Sequence, residues 1–244
     1  VDSRLKRKKY AFFYTIHDAL DEFNLNKQFF NRSKFLCDNF DIIVNCNCPE
    51  QAEGAKVIMS RFDSKRLKVL HLDPVNEGKH LMGPPEQIAH SFNGLLPYEL
   101  VFHLHADVYV VSDHGLKKVI QDWEDPAKKR HDFYVFPLPQ RDSQYAFDAW
   151  LFSPSEKTNV FKDWQTYEPR GKGAEPYLYD VIHDNNLSAG LFDRGPHAGM
   201  YEEYEPNSGL LDTTNFNTAC GVCDHKEHTE NWNDFIESHE KIKD

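Results

Sequence analysis

No run of the 244 residues approaches the length of a membrane span, and no Pro-, Gly- or Ser-rich linker interrupts the chain before residue 200. The first absence sets aside a spanning helix. The second leaves residues 1–200 as one domain, with residues 201–244, acidic, polar and weakly patterned, as a C-terminal tail or lid packed on it. Internal repeats are lacking as well. No secretory leader is visible, because Val1 is followed at once by charge, and the missing initiator Met suits a fragment or a processed chain. The five cysteines are an odd number and their spacing is unlike a secreted disulfide framework, so a reducing, cytoplasmic setting is expected. Basic residues are in the minority. A net charge of -11 disfavours a nucleic-acid partner, whose phosphate backbone needs a basic surface, but leaves room for a small phosphate ligand held through a metal. The basic run Arg4 to Lys9 reads as a solvated lead-in to the first strand, with a membrane-surface or targeting role as the alternative.

Apolar residues make up 40% of the chain and aromatics 14%, enough for a large core and against disorder. Their pattern alternates between strand and helix. Tyr10 to Ile16 reads as a buried first strand. Ala19 to Asn39 follows with a helical period, and Asp18 is a candidate N-cap. Asp41 to Cys48 is a second strand, Pro49 to Phe62 a helix, and Leu67 to Leu72 a third strand. After the loop Val75 to Pro85, Glu86 to Leu96 is a helix. The next segment, Glu99 to Ser112 (ELVFHLHADVYVVS), is a nearly continuous apolar run of the kind buried on both faces of a parallel sheet. Further on, Gly115 to Trp123 and Glu175 to Asn185 read as helices, and Phe133 to Leu138 and Ala146 to Phe152 as strands. The alternation predicts an α/β fold with a mostly parallel sheet and helices on both faces.

His105 and Asp107 are the polar interruption of the apolar run. At i and i+2 of one strand they would face the same way and could converge on a cation. The alternative makes Asp107 a turn cap and His105 a core imidazole. With strand order 3-2-1-4, ligands sit where the order reverses, between the first and fourth strands, and His17-Asp18 would then face His105-Ala106-Asp107.

An apolar strand ending in an x-x-Asp element resembles the Asp-x-Asp motif of glycosyltransferases of the GT-A fold, here standing as His105-Ala106-Asp107. Asn76-Glu77-Gly78-Lys79-His80 and Gly83-Pro84-Pro85, upstream of it, are similar to bacterial and viral members. The resemblance covers residues 10 to 200. It implies a GT-A-like, Rossmann-like domain that takes a sugar from a nucleoside-diphosphate-sugar donor to a carbohydrate or glycoconjugate acceptor, with Mn²⁺ or Mg²⁺ as cofactor. His105 replaces the family's first Asp, and an imidazole tilts the preference toward Mn²⁺; if His105 does not bind, Asp107 is the sole ligand on this strand. His197, in Arg194-Gly195-Pro196-His197, matches a late metal or diphosphate ligand of the family, with His225 and His228 as rivals. Glu175, after the Gly171-Lys172-Gly173 loop, matches the acid that deprotonates the acceptor in inverting members, or is a plain helix-start carboxylate. Thr15, His17, Asp18 and Asp73 match positions for base and ribose, and Ala106 lies within the motif that faces the donor. Asp73 before Pro74 also reads as a turn. Lys79 and Arg141 are candidate phosphate or sugar contacts, or surface cations. Asp148, two residues before Trp150, pairs a carboxylate with an aromatic, as suits a sugar and its hydroxyls, and is a second catalytic candidate; core packing accounts for Trp150 equally. Cys220, Cys223, His225 and His228 have zinc-ligand types but short spacing; a lid and an inert tail are the other readings. Two rival functions stay open: a metal-dependent nucleotidyltransferase, although no basic Gly-rich loop follows Ile16, and a noncatalytic carbohydrate- or protein-binding domain.

Overall fold

The computed structural model describes residues 8–72, 83–106, 108–110, 113–137, 145–166, 174–191 and 210–212. In chain order the elements are β1 (Lys8–Ile16), α1 (Leu20–Arg32), α2 (Lys34–Asn39), β2 (Phe40–Cys46), a 3-10 turn (Pro49–Gln51) running into α3 (Ala52–Ser60), β3 (Lys68–Leu72) and α4 (Gly83–Leu95). They continue with β4 (Tyr98–His105), β5 (Val108–Val110), α5 (His114–Glu124), β6 (Phe133–Pro137), β7 (Tyr145–Phe152), a 3-10 stretch (Val160–Thr166), α6 (Ala174–Asp184), β8 (Ala189–Leu191) and β9 (Leu210–Asp212).

Seven strands form one sheet in the order β3-β2-β1-β4-β7-β6-β8. β1 pairs in parallel with β2 and β4, β2 with β3, and β6 with β8. Only β7 runs against its neighbours β4 and β6. This is the expected mostly parallel sheet with the expected 3-2-1-4 start. Alternation along each strand feeds two cores. Phe12, Tyr14 and Phe102 pack on one face against Phe23 and Phe30 of α1 and against Phe62. Ala11, Phe13 and Trp150 pack on the other against Phe92 of α4, Phe161, and Val181 of α6. Both faces being covered explains why β1 and β4 read as continuous apolar runs.

The structure corrects several boundaries. The helical pattern from Ala19 to Asn39 is two helices, parted at Ser33. Ser33 has extended backbone (φ -94, ψ 107); its N–H donates to Phe30 O and its Oγ accepts from Leu36 N at 3.1 Å, so one residue closes α1 and caps α2. Asp18 is not the N-cap of α1. Ala19 holds that position without a side-chain cap, and Asp18 adopts a left-handed φ of 49°. α4 starts at Gly83, earlier than the expected Glu86, because Pro84 and Pro85 fall in its first turn, where a missing N–H costs nothing.

The largest correction concerns the segment 99–112. β4 ends at His105, Ala106 forms a turn, and β5 leaves for a second, two-stranded sheet with β9. The single strand expected over Glu99 to Ser112 is therefore two strands in two sheets, and the expected convergence of His105 and Asp107 falls on a residue, Asp107, outside the described ones. The region past residue 200 carries more pattern than expected, since Leu210–Asp212 forms β9 and pairs antiparallel with Val108–Val110. No helix among the described residues is long and apolar enough to cross a membrane.

Candidate functional site

The strand order reverses at β1. β2 and β3 lie on one side of it and β4 on the other, which opens a crevice at the carboxyl ends of β1 and β4. The register lines up one rung there: His71 of β3 beside Asn45 of β2, Asn45 beside Thr15 of β1, and Thr15 beside His105 of β4. The rung toward the strand starts is Leu70, Val44, Tyr14 and Leu104, all apolar. A polar rung thus crosses β3, β2, β1 and β4 one residue before the ends of β1, β2 and β3.

Thr15 and Asn45 are buried and hydrogen-bonded, as burial requires, while His71 and His105 are half-buried. Asn45 donates through Nδ2 to Ser91 Oγ at 2.7 Å, and accepts at Oδ1 from Gln87 Nε2 at 3.1 Å. The same Gln87 amide donates to the Ile16 and Asn45 carbonyls, both at 3.3 Å, so α4 is fastened to the last residues of β1 and β2. Thr15 Oγ1 meets His103 Nε2 at 3.2 Å. His103 is fully buried beside Trp150, whose ring centroid is 4.9 Å away. Burial first, and the neighbouring His105 second, push the His103 pKa well below the usual imidazole value, so its ring stays neutral.

Just past the rung, His17 Nδ1 donates to Asn47 Oδ1 at 2.8 Å, and Asp18 accepts from Gln51 Nε2. On the β4 side His105 is half-buried. Its ring stands edge-on to His103, with centroids 5.2 Å apart at 85°, and lies 5.9 Å from Phe147. The Ala106 carbonyl accepts from Asn26 Nδ2 at 2.6 Å. Thr15, His17, Asp18, His105 and Ala106, expected from the sequence to meet, are therefore brought to the two sides of one crevice.

The remaining candidates stand as follows. Asp148 lies in β7 where the pairing with β6 slips: Val135 faces Trp150 but Pro137 faces Tyr145. Trp150 is fully buried, stacks on Phe161 and donates through Nε1 to Phe147 O at 3.1 Å, so it is a core residue and no sugar platform. Glu175 stands in the first turn of α6, where a helix start was expected. Asp73, Lys79, Asp107, Arg141, His197, Cys220, Cys223, His225 and His228 lie outside the described residues. Among the described residues no group of three or more His, Cys, Asp or Glu could hold a metal ion.

Sequence reasoning missed Asn26, Asn45, Gln87, His103 and Asp212. Asn26 had a readable signal, a polar residue within the apolar stripe of a helix. Asp212 had none, because only the β5–β9 register sets it opposite Val108, directly after Asp107.

No protein-family model and no curated protein sequence matches the chain. Solved structures do. The glycosyltransferase GlyE of Streptococcus pneumoniae TIGR4 superposes with a TM-score of 0.53 at 11% identity, over 84% of this chain and 54% of that one. TarS of S. aureus superposes with a TM-score of 0.50 at 12% identity, over 77% of this chain and 35% of that one. The chain has a GT-A-like fold. It spans about half the length of GlyE and about a third of TarS, and at these identities the likeness is one of architecture. Within the GT-A-like fold, the crevice between β1 and β4 lies at the switch point where open α/β sheets bind their ligands.

Proposed function

We propose that the chain is a metal-dependent glycosyltransferase that moves a sugar, hexosyl or pentosyl, from a nucleoside-diphosphate-sugar donor to an acceptor hydroxyl in glycan synthesis. One observation carries the reading: the polar ends of β1 and β4 face each other across the switch point of a fold shared with a glycosyltransferase. Thr15, His17, Asp18 and Asp73 are assigned to the base and ribose, and Lys79 to a phosphate or sugar oxygen. Ala106 carries the backbone across the donor face of the motif.

His105, Asp107 and His197 are assigned to the metal. The donor chemistry fits Mn²⁺ or Mg²⁺, with imidazole favouring Mn²⁺. His105 fits by position, since it closes β4 at the crevice with its ring oriented by His103 and Phe147. When bound, such a cation neutralises the diphosphate as the glycosidic bond breaks, a service the acidic chain cannot supply from its own net charge. Glu175, with Asp148 as alternate, takes the proton from the acceptor hydroxyl. A cytoplasmic, reducing setting is supported by the free thiols of Cys37, Cys46 and Cys48.

Calorimetric titration of UDP and GDP into the full chain, with and without Mn²⁺, tests the reading alongside an assay of donor turnover. Metal-dependent binding with sugar transfer or donor hydrolysis is the expected result. Equal binding without metal overturns it. Binding without turnover points to a noncatalytic module, and release of pyrophosphate from a nucleoside triphosphate points to a nucleotidyltransferase.

A further inference from the structure

We infer that His103 is a positioning residue that fixes the Thr15 hydroxyl as a hydrogen-bond donor toward the crevice, so that the ligand group bound there is an acceptor oxygen. The inference rests on the proposed nucleoside side of the donor site and uses no metal ligand.

Alternation along β1 puts Thr15 on the sheet face of Ala11 and Phe13, the face covered by α4. His103 stands opposite Phe13 in the β1–β4 register, one step toward the strand starts. Thr15 Oγ1 and His103 Nε2 lie 3.2 Å apart, and among the described residues each side chain has the other as its one hydrogen-bond partner. His103 is fully buried among the rings of Phe13, Phe147 and Trp150. Its Nδ1 is shut off from solvent and has no hydrogen-bond partner among the described residues.

Counting hydrogens decides the direction of the bond. A neutral imidazole carries one N–H and a threonine one O–H, so the pair has two donors and one bond between them. One donor is left over. If Thr15 donates to Nε2, the surplus is an Nδ1–H enclosed by rings, whose faces are weak acceptors, and an orphaned buried N–H is costly. A second proton on the ring would strand the same N–H and bury a charge as well. If Nε2–H donates to Thr15 Oγ1, Nδ1 carries no hydrogen in need of an acceptor. The surplus donor is then the Thr15 hydroxyl, which can rotate toward a partner. The second arrangement is the one the burial of Nδ1 favours.

The surroundings leave that hydroxyl one way to turn. Asn45, beside Thr15 in the polar rung, is engaged with α4: its Nδ2 donates to Ser91 Oγ and to Gln87 O, and its Oδ1 accepts from Gln87 Nε2. His103 occupies the side toward the strand starts. The open side is the crevice, because Thr15 is one residue from the end of β1 and keeps 5% exposure where His103 keeps none. A ligand that offers a lone pair there, such as a base carbonyl or a ribose oxygen, completes the hydrogen count. An N–H in the same place would set donor against donor.

The test takes two readouts on full-length protein that melts cooperatively. Nitrogen NMR of isotope-labelled histidine reads the His103 tautomer directly, the signal being identified by its loss in His103→Gln. Protonation at Nε2 is expected, and protonation at Nδ1 overturns the inference. Calorimetry with a chelator present then reads the affinity for UMP and for GMP, which carry base and ribose without a diphosphate that calls for a cation. For the nucleotide that binds, Thr15→Val keeps the shape without the hydroxyl and is expected to lower affinity about 10-fold, while Thr15→Ser keeps it. His103→Phe keeps a ring without the donor and is expected to match Thr15→Val; His103→Gln returns an amide N–H near the place of Nε2 and is expected to restore most of the affinity. If His103→Phe does not fold, the tautomer and the two Thr15 variants carry the test. Wild-type affinity in Thr15→Val overturns the inference. Equal losses in His103→Gln and His103→Phe make His103 a packing residue and overturn it too. A wild type that binds neither nucleotide overturns the ligand half, whatever the tautomer. Failure of the glycosyltransferase reading is distinguishable, because nucleotide binding without sugar transfer leaves the Thr15–His103 result standing.

Discussion

At the scale of single residues, the central question is what the His-Ala-Asp motif does. His105 ends β4 at the crevice, and Asp107 is two residues further along the sequence. An acidic chain that is to hold a diphosphate needs a cation there, so Asp107→Ala is expected to abolish metal-dependent nucleotide binding and turnover while leaving the fold nearly intact. His105→Ala is expected to weaken Mn²⁺ less, since one imidazole is lost and the carboxylate remains. Titrating nucleoside diphosphate with and without Mn²⁺ into both variants checks the pair; metal-dependent binding by Asp107→Ala would defeat the assignment. The role proposed for Glu175 is in the chemistry and not in binding. Glu175→Gln keeps the size and removes the base, so transfer is expected to fall by roughly 10²-fold or more while donor affinity holds. Normal turnover in that variant returns Glu175 to the role of a first-turn carboxylate.

Among the elements, the β6–β8 edge depends on one aspartate. Asp132, just before β6, accepts from Lys157 Nζ at 2.7 Å and from Ser188 N and Oγ, both at 2.8 Å. Burial by itself would raise its pKa, but these donors outweigh it and leave the carboxyl below the usual aspartate range. A depressed carboxylate stabilises the folded state above its unfolded pKa of about 3.9, and that contribution disappears as pH falls through the lower, folded value. Asp132→Ala is therefore expected to lower the melting temperature at neutral pH, by an amount corresponding to roughly 1–2 kcal/mol, and to flatten the acid limb of stability between pH 5 and 2. Parallel acid limbs for variant and wild type would dismiss the anchor. The elements themselves differ in how far they could be read from the sequence. β1, β2 and β4 were legible because both their faces are buried, which writes an uninterrupted apolar run. The Ser33 break was hidden because the helical period passes through it, and the β7 bulge because it exists only in the pairing with β6. The end of β4 was hidden because the apolar run resumes in β5, at Val108, and only the pairing of that segment with β9 separates the two strands.

At the scale of the whole molecule, the candidate site is assembled from both ends of the chain. β1 supplies one wall and β4 the other, while the strand that follows the motif pairs with β9, about 100 residues later. That last pairing could not be read from the sequence, because three residues in a polar, acidic region carry no period. It changes the status of the C-terminal region, which the sequence suggested as a lid or an inert tail. A two-stranded sheet of three residues per strand is marginal alone, so β5 depends on β9 along one side and on α1 below it. Asp212 sits opposite Val108 in the backbone register of this ladder. Truncation after residue 200 is expected to leave the seven-stranded sheet folding cooperatively, because its strands, and the core residues among the described ones, lie before that point. Hydrogen exchange is expected to rise at Val108–Val110, and Mn²⁺ affinity to fall, because the strand after Asp107 loses its partner. Asp212→Asn separates the two causes: it keeps the strand and removes only the charge. If the full-length Asp212→Asn variant loses Mn²⁺ affinity with exchange unchanged at Val108–Val110, the tail contributes a charge to the site. If it binds Mn²⁺ as the wild type does while the truncated chain does not, the tail contributes the strand alone. A truncated chain with wild-type exchange and wild-type Mn²⁺ affinity would show that β9 supports nothing at the site.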